Sequence, residues 1–295
     1  MSNSSDRVLK SFQKGLNSHG YAFQYAVLKL VEEKFEQNRR SGWYREVVEF
    51  PVEVQEHGTR VDFILSRTQR QGFSVQPPFF IVAECKRSNP ALSEWCFAQT
   101  PHSQDGGSLY RTIALECLRR DQSTQVVTAQ AQQLMHGIES FDLALEVRSD
   151  EKGDTYSPGR GAIEEAVTQL LRGSNGMVEF FAKNRQLFGT EKKIYLLPVL
   201  FTTATIWASE VDLSSAEIRT GTVDLETTKF SKQDWLLYRY NTSPGLKHAH
   251  SPDAGLSSLQ EILESTYMRS IPIVSAEGIS SFLDWSSSID LSWAE

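Results

Sequence analysis

Apolar positions along the chain repeat with two periods, and the change from one to the other marks out its elements. Between Gly20 and Phe35, the residues Phe23, Ala26, Val27, Leu30, Val31 and Phe35 recur every third or fourth position, which predicts an amphipathic helix. From Arg45 to Gln55 the period shortens: Val48, Phe50, Val52 and Val54 alternate with Glu49, Pro51, Glu53 and Gln55. That is the pattern of a half-buried strand, and Pro51 places it at an edge or bulge. Glu56-His57-Gly58-Thr59 reads as a turn, so Arg60 to Ser66 is expected to return as the hairpin partner. A polar loop then leads through Pro77-Pro78 to Phe79-Phe80-Ile81-Val82-Ala83-Glu84-Cys85-Lys86, an apolar run of strand type that ends in two charges.

Beyond Lys86 the pattern predicts more helix. Asn89 is placed to cap a short helix over Ala91 to Ala98 with Pro90 in its first turn, and Leu109 to Leu118 and Ser123 to Gly137 read as helices. Two further helices are expected over Ala162 to Leu171 and Met177 to Arg185. Lys193 to Ser209 reads as one long buried strand bent at Pro198, with shorter strands at Val223 to Leu225 and Trp235 to Tyr240. Ser270 to Val274 and Ala276 to Trp285 read as a closing strand and helix. This order predicts an α/β fold, a mixed β-sheet flanked by helices, with a mainly helical insertion after Lys86. One domain is expected over 1–295, its core about 20–88 and 162–242, the insertion about 89–160, and a C-terminal strand-helix extension about 255–295.

Composition changes this picture little. With 295 residues, 40% hydrophobic and 23% charged, the chain can bury a full core. No apolar run approaches the ~20 residues that cross a bilayer, and the first residues lack a secretory pattern. Cys85, Cys96 and Cys117 are scattered, with neither a disulfide framework nor a Cys-x-x-Cys knuckle, so a cytoplasmic protein without a membrane partner is expected. The net charge of −7 argues against a protein that coats nucleic acid. It does not exclude an enzyme with a local basic groove, because a carboxylate-rich metal site is itself negative until cations bind.

The chemistry lies at the end of the Phe79–Lys86 run. Side chains alternate along a strand, so Glu84 and Lys86 share one face while Ala83 and Cys85 share the other. Val61-Asp62-Phe63-Ile64-Leu65 sets a second acid inside an apolar run. Charges in such settings are paired, bind a metal or do chemistry. A plain ion pair between Asp62 and Lys86 at a solvated strand end, worth ~0.5 kcal/mol, is the competing reading.

A helix, then a hairpin strand bearing Asp, then a strand ending in Glu-x-Lys, is a combination in which the chain resembles the restriction-endonuclease-like, or PD-(D/E)xK, nuclease superfamily. The resemblance covers about residues 20 to 86, and Leu196 to Ala208 matches the later central strand. It implies a restriction-endonuclease-like fold and Mg²⁺-dependent phosphodiester hydrolysis, with Mn²⁺ as a substitute. Nucleic acid is the implied partner, DNA rather than RNA, in a defence or repair setting. Asp62 and Glu84 would be the metal-binding carboxylates, joined by the backbone carbonyl of Cys85, whose thiol faces away. Lys86 would orient the attacking water and stabilise the pentavalent transition state. Gln24 stands where relatives carry a Glu on the first helix and is assigned a supporting catalytic role. Gln130, Gln132 and Gln133 are candidates for a Gln that many relatives place on the following helix. Val61 replaces a common Pro.

Other residues offer less. His248 and His250 flank one Ala in a loop without a third ligand. Glu49 and Glu53 read as a solvated strand face, with help in cation binding the lesser alternative if that face meets the catalytic side, and Trp95, Trp207 and Trp235 read as core. No Walker loop and no Gly-x-Ser-x-Gly elbow is present. The rival function is an inactive relative that serves as a nucleic-acid-binding or assembly module. No reader domain is evident, so a homodimer or a partner subunit is expected to supply specificity.

Overall fold

The two periods become the helices and strands of a mixed α/β architecture. The computed structural model describes residues 4–18, 20–37, 39, 42–54, 57–67, 70–71, 74–75, 78–100, 112–120, 126–134, 140–147, 161–184, 186, 193–226, 228–241, 268–289 and 291. Helix α1 (Ser4–Ser18) precedes α2 (Tyr21–Gln37), whose buried face is Gln24, Val27, Leu28 and Val31. Strands β1 (Trp43–Val54) and β2 (His57–Arg67) form the expected hairpin. The short pair β3 (Arg70–Gln71) and β4 (Ser74–Val75) follows, then β5 (Phe79–Lys86) and β6 (Glu94–Ala98). Next come β7 (Thr112–Arg120), β8 (Val126–Leu134), β9 (Ser140–Phe141) and β10 (Leu143–Val147). Helix α3 (Ala162–Lys183) leads to β11 (Lys193–Thr202) and β12 (Thr205–Ser209). The order closes with β13 (Phe230–Gln233), β14 (Trp235–Asn241), β15 (Met268–Ser275) and helix α4 (Ile279–Ser287).

The main sheet runs β1-β2-β5-β11-β15-β14-β9, with β7 also on β11 and β8 beyond it. Strands β5, β11 and β15 are parallel and end together, while β1 and β2 run antiparallel at one edge. Pro51 lies on that edge strand, as its missing N–H requires. The second sheet, also mixed, runs β10-β6-β12-β13. Alternation along β5 sorts the core. Ile81, Ala83 and Cys85 pack beneath α2 and α4, while Phe80 and Val82 pack beneath α3. No helix of the described residues is long and apolar enough to cross a membrane.

Several expectations are corrected. The region after Lys86 is not mainly helical: β6 to β10 are all strands. Asn89 makes a turn, its side chain accepting from Ala91 N–H, and the chain then enters β6, where Trp95 and Phe97 alternate inward. Leu109–Leu118 and Ser123–Gly137 contribute β7 and β8, which pair with each other while β7 also pairs with β11. Such pairing overrides the helix preference of their Ala, Leu and Gln residues. The long strand breaks at Thr203–Ala204 rather than at Pro198, sending β12 into the second sheet. Pro198 sits between the β11 segment paired with β7 and the segment paired with β15, so no ladder bond is lost there. Val223–Leu225 forms no strand.

The two helices expected over 162–185 are one. Gly173 and Gly176 lie inside α3, against the hairpin. A Cβ at 176 would lie 2.6 Å from Val52, and one at 173 would lie 3.0 Å from Val61. Their helix cost of about 1 kcal/mol each is the condition for α3 to lie this close to the sheet. The C-terminal segment is also more than an addition, because β15 lies inside the main sheet between β11 and β14.

Candidate active site

Asp62 and Glu84 meet at the carboxyl end of β5, the side of an α/β sheet where ligand crevices form. Strands β2 and β5 pair as far as Phe63 with Ala83, and one step further brings Asp62 opposite Glu84. On the other side of Asp62, β1 pairs Val48 with Phe63 and Phe50 with Val61, which brings Glu49 opposite Asp62. Glu49, Asp62 and Glu84 therefore form a row across three neighbouring strands. The row exists because the hairpin register and the β2–β5 register coincide at one level of the sheet.

Each acid is held differently. Asp62 Oδ2 accepts the Cys85 backbone N–H at 2.7 Å, which ties the two strands together where their ladder ends. Gln24 Nε2, on the buried face of α2, donates at 2.9 Å both to Glu49 Oε1 and to the Asp62 backbone carbonyl. Glu49 has φ +53°, a left-handed conformation that costs a non-glycine residue energy and interrupts strand alternation. Glu84 is only 5% exposed, and no hydrogen bond reaches its carboxylate among the described residues.

The electrostatics follow from this placement. Burial, then the nearby Asp62 charge, pushes the Glu84 carboxyl up to about 9, with Lys86 opposing. Burial also lifts Asp62 to about 6, opposed by the Cys85 N–H and reinforced by Glu49. The acids repel one another in a poorly hydrated place, and Lys86 neutralises only part of that charge. The Lys86 ammonium, at 26% side-chain exposure, lies 3.0 Å from Glu165 Oε2 in the first turn of α3. That turn is itself anchored: the buried Glu146 accepts the Ile163 N–H at 3.1 Å, and a Cβ at Gly161 would collide with its carboxylate.

Of the residues singled out from the sequence, Asp62, Glu84, Lys86 and Gln24 converge here. Cys85 contributes its backbone, and its thiol lies on the opposite face in the core beneath α2, with burial raising its pKa. Gly20, at φ +75° just before α2, packs near the Cys85 carbonyl, where a Cβ at 20 would lie 3.9 Å from its oxygen. Gln130, Gln132 and Gln133 lie in strand β8 rather than on a helix. The helix between β5 and β11 is α3, and its acid Glu165 reaches Lys86. His248 and His250 lie outside the described residues.

Glu49, read first as a solvated strand face and only secondarily as an aid to cation binding, lies beside Asp62, and Glu165 was missed as a site residue. The hairpin register, counted from its turn, could have revealed Glu49. Glu165 carried no signal beyond an acid near a helix start. Trp95 is fully buried as expected, whereas Trp207 and Trp235 are partly buried.

Among the described residues, no group of three or more His, Cys, Asp or Glu side chains could by itself hold a metal ion. The donor set nevertheless fits Mg²⁺, which takes hard oxygen ligands, needs one or two carboxylates and completes its shell with water and phosphate. Here the hard oxygens are those of Asp62, Glu84 and the Cys85 carbonyl. A carboxylate only 5% exposed that no hydrogen bond reaches among the described residues is the group a cation would compensate. No family model matches this chain, and no curated protein or solved structure matches it.

Proposed function

We propose that this protein is a metal-dependent nuclease of restriction-endonuclease-like fold, cleaving phosphodiester bonds in DNA at the Asp62–Glu84–Lys86 site. The observation that carries the reading is Glu84: a nearly unexposed carboxylate, facing Asp62 and sharing a strand face with Lys86, at the end where parallel strands stop. The order helix α2, hairpin β1–β2, β5, α3 and parallel β11 supports the same reading.

Asp62, Glu84 and the Cys85 carbonyl would hold Mg²⁺. When bound, the ion supplies neutralisation of phosphate charge and a more acidic water. Asp62 is kept in place by the Cys85 N–H and, through its backbone carbonyl, by Gln24. Lys86, as a cation with three donors, orients the attacking water and stabilises the negative charge gathering on the phosphoryl oxygens. Glu165 holds the ammonium on the α3 side until substrate arrives. Glu49 adds negative charge beside Asp62 without occupying the place opposite Glu84.

The test is cleavage of linear DNA in Mg²⁺ by the parent chain and by Lys86→Ala. The variant retains its fold by circular dichroism and loses cleavage by about a hundredfold or more, as removal of a transition-state donor does. Equal cleavage by the two proteins removes Lys86 from the mechanism.

A further inference from the structure

Lys86 has two acids within its range, and it is bonded to the one that is no part of the proposed cation site. Glu84 stands two residues back on the same face of β5, about 7 Å along the strand, a gap that the flexible four-carbon stem of a lysine can close. A carboxylate so deeply buried is a strong draw for an ammonium. Yet no hydrogen bond reaches Glu84 among the described residues, and the Lys86 ammonium donates to Glu165 Oε2 at 3.0 Å. Exposure rises along this line, from 5% at Glu84 to 26% at the Lys86 side chain and 69% at that of Glu165. The pair therefore draws the ammonium outward.

Neither partner is placed by chance of a loose backbone. The Lys86 carbonyl accepts the Thr203 N–H at 3.3 Å, and Lys86 pairs with Thr202 of β11, so the main chain is fixed and only the side chain can turn. Glu165 is held as firmly. Its N–H donates to the Gly161 carbonyl at 3.1 Å, and Ile163, Ala166 and Val167 on either side of it are buried in the core. Gly161 has no side chain with which to cap α3, and the buried Glu146 of the second sheet takes that part by accepting the Ile163 N–H. The first turn of α3 is thus fastened at two points, and Glu165 projects from it to Lys86.

We infer that Glu165 is a positioning residue, which draws the Lys86 ammonium away from Glu84 and so keeps that carboxylate open to the cation. The role rests on the nuclease reading of the site and concerns how that site is kept open. Without Glu165, Lys86 turns to Glu84, forms the ion pair that their shared strand face invites, and has to be displaced before Mg²⁺ can bind.

The experiment is a double-mutant cycle on Mg²⁺ binding, read by isothermal titration calorimetry on the full chain without nucleic acid. It compares the parent, Glu165→Ala, Lys86→Met and the double variant. Glu165→Ala weakens Mg²⁺ binding about three- to thirtyfold while Lys86 is present, and by less than about twofold in the Lys86→Met background. Glu165→Gln, which keeps the shape and loses the charge, weakens binding in the same Lys86-dependent way. Equal weakening in both backgrounds overturns the inference, because Glu165 then acts on the cation through its charge alone. Parent-like affinity in Glu165→Ala overturns it too: the acid then serves only the positive end of the α3 dipole and changes thermal stability alike in both backgrounds. Lys86-dependent cleavage beside uncoupled Mg²⁺ binding removes only the positioning role. Coupled Mg²⁺ binding in a chain whose cleavage ignores Lys86→Ala removes only the catalytic reading, and a parent chain that binds no Mg²⁺ removes both.

Discussion

Mg²⁺ binding to this protein should expel close to one proton per cation at pH 7. Glu84, pushed up to about 9, is then almost wholly protonated, while Asp62, at about 6, is mostly ionised. A carboxylate must lose its proton to ligate a metal, so the proton on Glu84 competes with the ion. Two pH units below about 9, that competition costs about 2.7 kcal/mol, roughly a hundredfold in affinity. Affinity therefore rises about tenfold per pH unit between about 6 and 9. The dependence steepens below about 6, where Asp62 must also ionise, and flattens above about 9. Isothermal titration calorimetry in buffers of different ionisation enthalpy counts the protons directly. Binding heats independent of buffer, with affinity flat from pH 6 to 8, would refute the linkage between Glu84 and the cation. The folding sign is consistent with this. A carboxyl with a raised folded pKa holds a proton that the unfolded chain has already lost, so cation-free stability falls as pH rises from about 4.5 to about 9. Glu84→Gln should therefore raise the melting temperature in EDTA more at pH 9 than at pH 5.

Three further outcomes test the frame around the site. Gly176→Ala sets a Cβ 2.6 Å from Val52 and is expected to destabilise the protein by about 1–3 kcal/mol in chemical denaturation. Arg67→Ala removes donors to the carbonyls of Ser286, Ser287 and Ile289 and the cation over the Phe79 ring. A loss of about 2–4 kcal/mol is expected there, with α4 losing hydrogen-exchange protection first. Gln24→Ala removes the donor shared by Glu49 and the Asp62 carbonyl, so Mg²⁺ affinity should fall by about tenfold in calorimetry.

The hairpin, the β5 strand and the faces of Glu84 and Cys85 were legible because a two-residue period maps directly onto sheet faces. The helix α2 was equally legible from its period. Strands β7 and β8 were not, since their Ala, Gln and Leu residues suit a helix in isolation and become strands by pairing with distant partners. The single helix α3 was not legible either, because what admits Gly173 and Gly176 within it lies across the chain, in Val52 and Val61. The row of acids shows the same limit. Asp62 and Glu84 stand out as charges in apolar runs, but Glu49 sits in an ordinary alternating strand and joins them only through register. Helix α1 carries the same helical spacing in Val8, Leu9, Phe12 and Leu16, although it leaves all four exposed.

The central claim is that Asp62 and Glu84 act together with a divalent cation in phosphodiester cleavage. Its most direct measurement is cleavage of single-stranded and duplex DNA by the full chain in Mg²⁺, in EDTA and after Mg²⁺ is restored, beside Asp62→Asn under the same conditions. The account predicts cleavage that stops with EDTA, returns with Mg²⁺ and is absent in Asp62→Asn. Cleavage by Asp62→Asn at the parent rate, or cleavage by the parent that continues in EDTA, would contradict it.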